Sequence, residues 1–158
     1  MRGTSASKLG AAELSMGLLI AAVVTSVSVP LVMTAYSDLS AKVTVDALEE
    51  EIGHLLRMVR AVMDSGNGST AEVDIEISHF GSSRVERVAI GGPPGSGSER
   101  FMVSYEVSGH GRGFMSLDPP LPMTTVEGEG LQLDEGGHTL ILRNVQEGTD
   151  RICLIEVQ

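Results

Sequence analysis

The sequence predicts an α+β fold in which a long N-terminal helix, apolar at first and amphipathic later, precedes a small antiparallel β-sandwich head. Three observations predict it. Residues 14–37 contain no Asp, Glu, Lys or Arg, the apolar residues of 45–63 recur three or four positions apart, and beyond residue 70 apolar and polar residues alternate. The expected order is a leader over 1–10, a helix over 11–64 and a head domain over 71–158.

The first part of the predicted helix, residues 14–37, is a membrane or filament-core segment. As a helix it would be about 36 Å long, enough to cross the roughly 30 Å hydrocarbon core of a bilayer. It is long for the core of a signal peptide, and Met33-Thr34-Ala35 matches a cleavage site poorly, so we expect it to be retained. The leader is weakly basic through Arg2 and Lys8, which predicts a cytoplasmic N-terminus and a head outside.

Small residues are frequent in the apolar run, and small residues let membrane helices approach one another closely. Pro30 lies within the run and cannot donate a backbone hydrogen bond, so a kink is expected near Ser26–Pro30. The run is therefore expected to pack against other helices. Its small residues are Gly17, Ala21, Ala22, Thr25, Ser26, Ser28 and Thr34.

The second part of the helix, residues 38–64, is predicted to be an amphipathic stalk. Its apolar residues form a heptad-like seam with charged residues on the other faces. The seam is short for a coiled coil, and it suits either partner helices or the chain's own β-domain. Gly66-Asn67-Gly68 is expected to end the helix, because Gly and Asn accept the left-handed conformation. The seam residues are Leu48, Ile52, Leu55, Val59 and Val62.

Beyond the stalk, six or seven short strands separated by Gly- and Pro-rich turns predict a small sandwich. Val73, Ile75 and Ile77 alternate with acidic residues, which indicates a half-buried strand with an acidic outer face. The predicted strands cover residues 72–78, 84–90, 101–107, 114–117, 131–133, 138–145 and 151–157.

Composition excludes several classes of function. The net charge is −10 and the lysines are Lys8 and Lys42 alone, so nucleic acid is not an expected partner. The single cysteine, Cys153, cannot form an intramolecular disulfide and is expected to be a small core residue in a strand.

No catalytic, cofactor-binding or metal-binding residues are predicted, and the chain is not expected to be an enzyme. The four histidines, His54, His79, His110 and His138, lack the spacing of metal ligands. Asn67-Gly68-Ser69 is a glycosylation sequon in a predicted exposed turn, which makes Asn67 a candidate N-glycosylation site.

Lys8-Leu9-Gly10, followed by Ala11-Ala12-Glu13-Leu14 and the apolar run, resembles the N-terminus of the type IV pilin superfamily. With its β-sandwich head and without a disulfide, the chain is most similar to archaeal pilins and archaellins. The resemblance implies a class III signal peptide that a prepilin peptidase cleaves between Gly10 and Ala11. It also implies that Glu13 registers an incoming subunit against the terminal amine of a neighbour.

Glu13 also allows two interpretations from the residues themselves. A carboxylate at the start of an apolar helix is costly unless it finds a partner, which favours a role in assembly. Alternatively, Glu13 lies in the headgroup layer and interacts favourably with the positive helix N-terminus. The residues expected to act in assembly are Glu13, Leu14, Leu18, Ala22, Ser26 and Pro30.

Together, these features predict a structural subunit of an extracellular pilus-like filament that serves adhesion or motility. Its partners would be identical subunits in a helical filament, with the subunit inserted in the cytoplasmic membrane before assembly. The alternative is an uncleaved membrane-anchored minor pilin or motor-accessory protein whose exported β-domain binds an envelope partner. An enzyme or solute-binding domain on an anchor is disfavoured because no catalytic or pocket-forming constellation is evident.

Overall fold

The computed structural model describes residues 5–93, 95–147 and 150–158, and of residues 5–15 and Glu147 it describes the backbone only. The leader over 1–10 therefore lies partly outside the described residues. The predicted processing site, Gly10 and Ala11, is described by its backbone only, and so are Glu13 and Leu14. The chain divides into two compact units, Met1–Ser37 and Asp38–Gln158.

Helix α1 runs from Ser5 to Asp64, so it begins six residues before its predicted start at Ala11. Pro30 lies inside the helix without ending it. The helix ends where the sequence indicates, because Gly66, two residues after Asp64, has a φ of 101° that disfavours side chains with a Cβ.

Residues 38–64 of α1 belong to the same compact unit as the strands. Every residue of the predicted seam is buried, and the seam joins both sheets in one hydrophobic core. The sequence left either partner helices or the chain's own β-domain as the packing partner of the seam. In the structure the seam packs against the chain's own β-domain. Leu55 and Val59 are 1% and 0% exposed, which leaves no part of either side chain for a partner helix.

Among its described residues, the head has eight strands in two four-stranded sheets. The first sheet has the order β1-β7-β8-β5 and the second the order β4-β3-β2-β6. All neighbouring strands are antiparallel except β5 and β8, which are parallel. The strands are β1 Thr70–Ile77, β2 Val85–Ile90, β3 Met102–Val107, β4 Gly111–Ser116, β5 Met123–Thr124, β6 Leu131–Leu133, β7 Gly136–Glu147 and β8 Asp150–Val157, with a 3-10 turn at Gly97–Phe101.

The predicted α+β class and the alternation in β1 are confirmed. Val73, Ile75 and Ile77 are buried, whereas the acidic residues between them are exposed. Val73 lies opposite Leu140 of β7, and side chains directly opposite each other share a face of the sheet, so both enter the core.

Strand bounds and strand number differ from the prediction, most clearly at β3 and β5. Phe101 ends the 3-10 turn and is only partly buried, so β3 begins at Met102. The short strand β5 was not predicted, because two residues are too few for an alternation to be recognised. Met123 of β5 lies opposite Cys153 of β8 and is fully buried, so this pair closes one edge of the core.

Side chains fasten the stalk half of α1 at both ends. Near its start, the Ser40 hydroxyl accepts hydrogen bonds from the backbone N–H groups of Ser82 and Ser83 at 3.0 and 3.2 Å. At its end, the amide of Asn144 on β7 donates to the carbonyl oxygens of Val62 and Met63 at 3.4 and 3.0 Å. These carbonyls have no partner within the helix, so Asn144 acts as a cap supplied by another element.

Candidate functional site

The most distinctive surface of the chain is the apolar helical surface, defined as the side chains of α1 from Met16 to Tyr36. Every one of these residues is exposed within the chain, including Leu18 at 71% and Val32 at 67%. Soluble proteins rarely expose a contiguous apolar surface of this length, so it indicates contact with lipid or with another protein.

Thr25, Ser26 and Thr34 on this surface each donate a side-chain hydrogen bond to the backbone of their own helix. Thr25 Oγ1 donates to the carbonyl of Ala21 at 2.8 Å, and Ser26 Oγ donates to that of Val23 at 2.8 Å. Thr34 Oγ1 donates in the same way to Pro30 at 3.0 Å. Since these donors are satisfied internally, they can enter lipid or a helix interface without the cost of an unpaired polar group.

The described residues expected to act in assembly follow one another at intervals of four. Leu18, Ala22, Ser26 and Pro30 therefore form one slowly winding row along α1. Nearby Gly17 has nothing within 4 Å of the position where a Cβ would lie. Ala22 and Ser26, in the middle of the row, have small side chains, which suit close approach of another helix.

By length and composition, α1 is the one helix among the described residues that could cross a membrane, and no residue of its apolar window is buried. It is therefore a candidate membrane anchor. The apolar character was predictable from sequence, because it depends only on a run without charges.

The head has a groove on the outer face of its second sheet, with a volume of about 350 Å³. Arg87 on β2 and Arg112 on β4 line the groove, whereas Glu99 borders it from the 3-10 turn and Glu129 from a loop. Phe114 on the neighbouring strand is 70% exposed on the same face, since it lies opposite Ser104 of the groove. The sequence does not indicate this groove, because its residues come from four separate segments.

Titratable groups in the head do not form a catalytic arrangement in the part of the chain that the structure describes. His79 pairs with Glu135 at 3.1 Å, and the ring of His138 contacts the carbonyl of Asp134 at 2.8 Å. No group of three His, Cys, Asp or Glu among the described residues is placed to hold a metal ion. Cys153 is fully buried, and burial raises the pKa of its thiol to about 12, as suits a core residue.

Asn67 lies in an exposed turn between α1 and β1, so its side chain is accessible. The hydroxyl of Ser69, the third residue of the sequon, donates to the carbonyls of Val62 and Gly66 at 2.6 and 2.7 Å. Glycosylation of Asn67 stays a prediction.

No curated protein matches the chain, and no solved structure matches it. Residues 16–158 match a family described as a domain of unknown function, DUF7311. The match begins at Met16, so it includes the apolar helical surface together with the whole head. The chain therefore belongs to the DUF7311 family.

Proposed function

We propose that the chain is a structural subunit of an extracellular filament of the type IV pilus kind, assembled through its N-terminal apolar helix with the β head outside. The observation that carries the proposal is the apolar helical surface, which is exposed along its whole length in the single chain. Such a surface needs lipid before assembly and other helices after it.

The packing of the stalk supports a division in which the apolar segment assembles and the head stays outside. The seam of the stalk is buried in the head's own core, so the seam residues are not available for association. Residues 16–36, in contrast, are a continuous part of α1 whose side chains are all exposed and can contact other copies. Because the DUF7311 match includes them, the apolar segment is a shared part of the family's domain.

Substitution of the small residues in the row of Leu18, Ala22, Ser26 and Pro30 tests assembly directly. Ala22→Leu and Ser26→Leu should reduce filament formation strongly, because a larger side chain keeps neighbouring helices apart. Val24→Leu is the matched control, since Val24 is exposed and lies about 200° around the helix from Ala22. Filaments counted by electron microscopy, with head folding checked by circular dichroism, give the readout. Normal filaments from both row variants would refute close helix packing.

The second candidate function is an uncleaved membrane-anchored accessory protein whose head binds an envelope partner. The groove between Arg87, Arg112, Glu99 and Glu129 favours it, because charges of both signs can recognise a polar partner. The N-terminal sequence of protein purified from its native membrane separates the two candidates. A start at Ala11 supports filament assembly, whereas a start at Met1 supports the accessory anchor.

A further inference from the structure

Three exposed apolar residues belong to the start of the stalk and to the loop that is hydrogen-bonded to it. Leu39, Val43 and Phe80 are 56%, 38% and 50% exposed, and we call them the Phe80 patch. Leu39 and Val43 are on α1, one turn apart. Phe80 is in the β1–β2 loop, where its backbone N–H donates to Thr44 Oγ1 at 2.9 Å and its carbonyl accepts from the Ser40 hydroxyl. These bonds hold the backbone of Phe80 against Ser40 and Thr44, which directly follow Leu39 and Val43 in the sequence.

Buried hydrogen bonds attach the loop that carries Phe80 to α1. Ser83 is buried, its Oγ lies 2.6 Å from Thr44 Oγ1, and it donates to the carbonyl of Ser40 at 3.1 Å. Ser40 and Thr44 are also buried, at 0% and 1% exposure. The backbone of the loop is thus satisfied by α1, while the aromatic ring is left facing outwards. An apolar ring presented by an ordered loop indicates a binding surface.

A second loop approaches the start of the stalk. A Cβ at Gly109 would lie 3.7 Å from the Cβ of Ala41. The backbone N–H of Arg84 donates to Ser108 Oγ at 2.7 Å, and the backbone N–H of Ser108 donates to the carbonyl of Arg84 at 2.9 Å. Charged residues of both signs neighbour the patch in the sequence, namely the basic Lys42 and Arg84 and the acidic Asp38 and Asp46, and Glu135 pairs with His79 next to Phe80.

Leu39 of the patch closely follows the apolar segment along the chain. Leu39 is two residues beyond Ser37, where the apolar run ends, so the two Cα atoms are at most roughly 8 Å apart. The polar headgroup layer is about 5–7 Å thick on each side of a bilayer. If the apolar segment crosses the bilayer, Leu39 is therefore within or next to that layer.

We propose that the Phe80 patch inserts into the headgroup region of the membrane and docks the head on the lipid surface. The occupant is lipid because the patch continues directly from a candidate membrane anchor, and because Phe and Leu side chains insert readily at the headgroup–acyl boundary. The proposal rests on the membrane anchoring that both candidate functions share. It adds a second contact with the membrane, made by the head.

The absence of Trp from the sequence makes the test direct. Phe80→Trp and the control Phe114→Trp each introduce a single indole, in the patch and on the outer face of the second sheet. The full chain is reconstituted at low protein-to-lipid ratio into phosphatidylcholine vesicles with brominated acyl chains. We expect blue-shifted emission and several-fold stronger bromine quenching for Phe80→Trp than for Phe114→Trp. Should Phe80→Trp fail to fold by circular dichroism, Val43→Trp replaces it.

Flotation of the vesicles distinguishes the failure of this inference from that of the anchor. If both variants float and their quenching is equal, the docking of the head is refuted and the anchor stands. Floating variants whose blue shift grows with the protein-to-lipid ratio, without bromine quenching, would show that a second copy covers the patch and would also refute docking on lipid. If neither variant floats, the membrane anchor itself is refuted, together with this inference.

Discussion

At the scale of single residues, Tyr105 joins the stalk to the second sheet through one hydroxyl group. The side chain is 4% exposed, and its hydroxyl donates to the carboxylate of Glu49 on α1. Burial first, and then the hydrogen bond and charge of Glu49, raise the pKa of Tyr105 to about 12 from 10.0. The folded state therefore favours the neutral phenol, which alone can donate this bond.

Tyr105→Phe tests this link. At neutral pH we expect the variant to lose about 1–2 kcal/mol of unfolding free energy, since a buried hydrogen bond to a charged group is removed. Because the folded pKa lies above the unfolded one, the stability linked to Tyr105 is complete below pH 10 and is lost as the pH rises towards 12. Urea unfolding of the wild type should show this decline, on top of a similar one from Cys153 that begins near pH 9.

The variant should lack the Tyr105 part of the alkaline decline and keep the part from Cys153. Tyr36→Phe is the control, because Tyr36 is 51% exposed and should leave head stability unchanged. An equally steep decline in wild type and Tyr105→Phe would contradict the assignment.

Gly113 lies beneath the same ring and gives a second residue-level prediction. A Cβ at Gly113 would overlap the Tyr105 ring, so Gly113→Ala should destabilise the head by about 1–3 kcal/mol. Gly53→Ala is the matched control on α1, where the new Cβ would meet Arg57 Nη1 at 3.5 Å and Met115 Cε at 4.0 Å. It should be neutral or stabilising by up to about 1 kcal/mol, because Ala is the better helix former. Thermal unfolding that ranks the two variants in the opposite order would refute the steric argument.

At the scale of elements, the stalk is held at its far end by Asn144, whose amide caps the last carbonyls of α1. Asn144→Asp keeps the size of the side chain but places a carboxylate against the oxygens of Val62 and Met63. We expect a loss of at least about 2 kcal/mol at pH 7, because a donor is lost and a negative charge faces the negative end of the helix. The loss should shrink at acid pH, where the carboxyl is protonated and can donate.

Asn67→Asp serves as the control for this change. Asn67 is exposed in the adjacent turn, so the same substitution there should alter the urea midpoint little at either pH. A cost at Asn144 that does not depend on pH would mean that lost packing, and not the new charge, explains the effect.

The sequence predicts those elements whose pattern is local. The period of the stalk and the alternation of β1 each follow from residues that are neighbours along the chain. The sequence does not predict which element packs against the seam, because a heptad of Leu, Ile and Val suits a helix and a sheet equally well. Strand β5 was missed since only its pairing with β8 defines it.

The candidate sites divide in the same way. The apolar helical surface requires only a run without charges, and so it was predicted. The Phe80 patch depends on Ser40 and Thr44 capturing a loop about 40 residues away, and nothing in the local pattern around Phe80 indicates that contact.

At the scale of the whole molecule, the boundary at Ser37 separates a part whose described side chains are exposed from a part that completes its own core. A fragment of residues 38–158 should therefore fold alone, unfold cooperatively and remain monomeric, since it keeps the stalk side chains of the core. A fragment of residues 65–158 should not fold, because it loses Leu48, Leu55, Val59 and the rest of the seam. Thermal unfolding and size-exclusion chromatography of both fragments check this.

A cooperative transition in the shorter fragment would show that the strands form a core without the stalk. Aggregation of the longer one would show that the unit depends on the apolar segment.

Strand β1 is an edge of its sheet, and its exposed residues Glu72, Asp74 and Glu76 line that edge with negative charge. Edge strands offer unpaired backbone groups to any other strand, and charge is one of the ways in which proteins prevent such pairing. Heads crowded together on one surface would meet this edge often. The acidic row repels a like edge at low ionic strength and less so in strong salt. The acidic row therefore disfavours edge-to-edge pairing between this sheet and the same sheet of another copy.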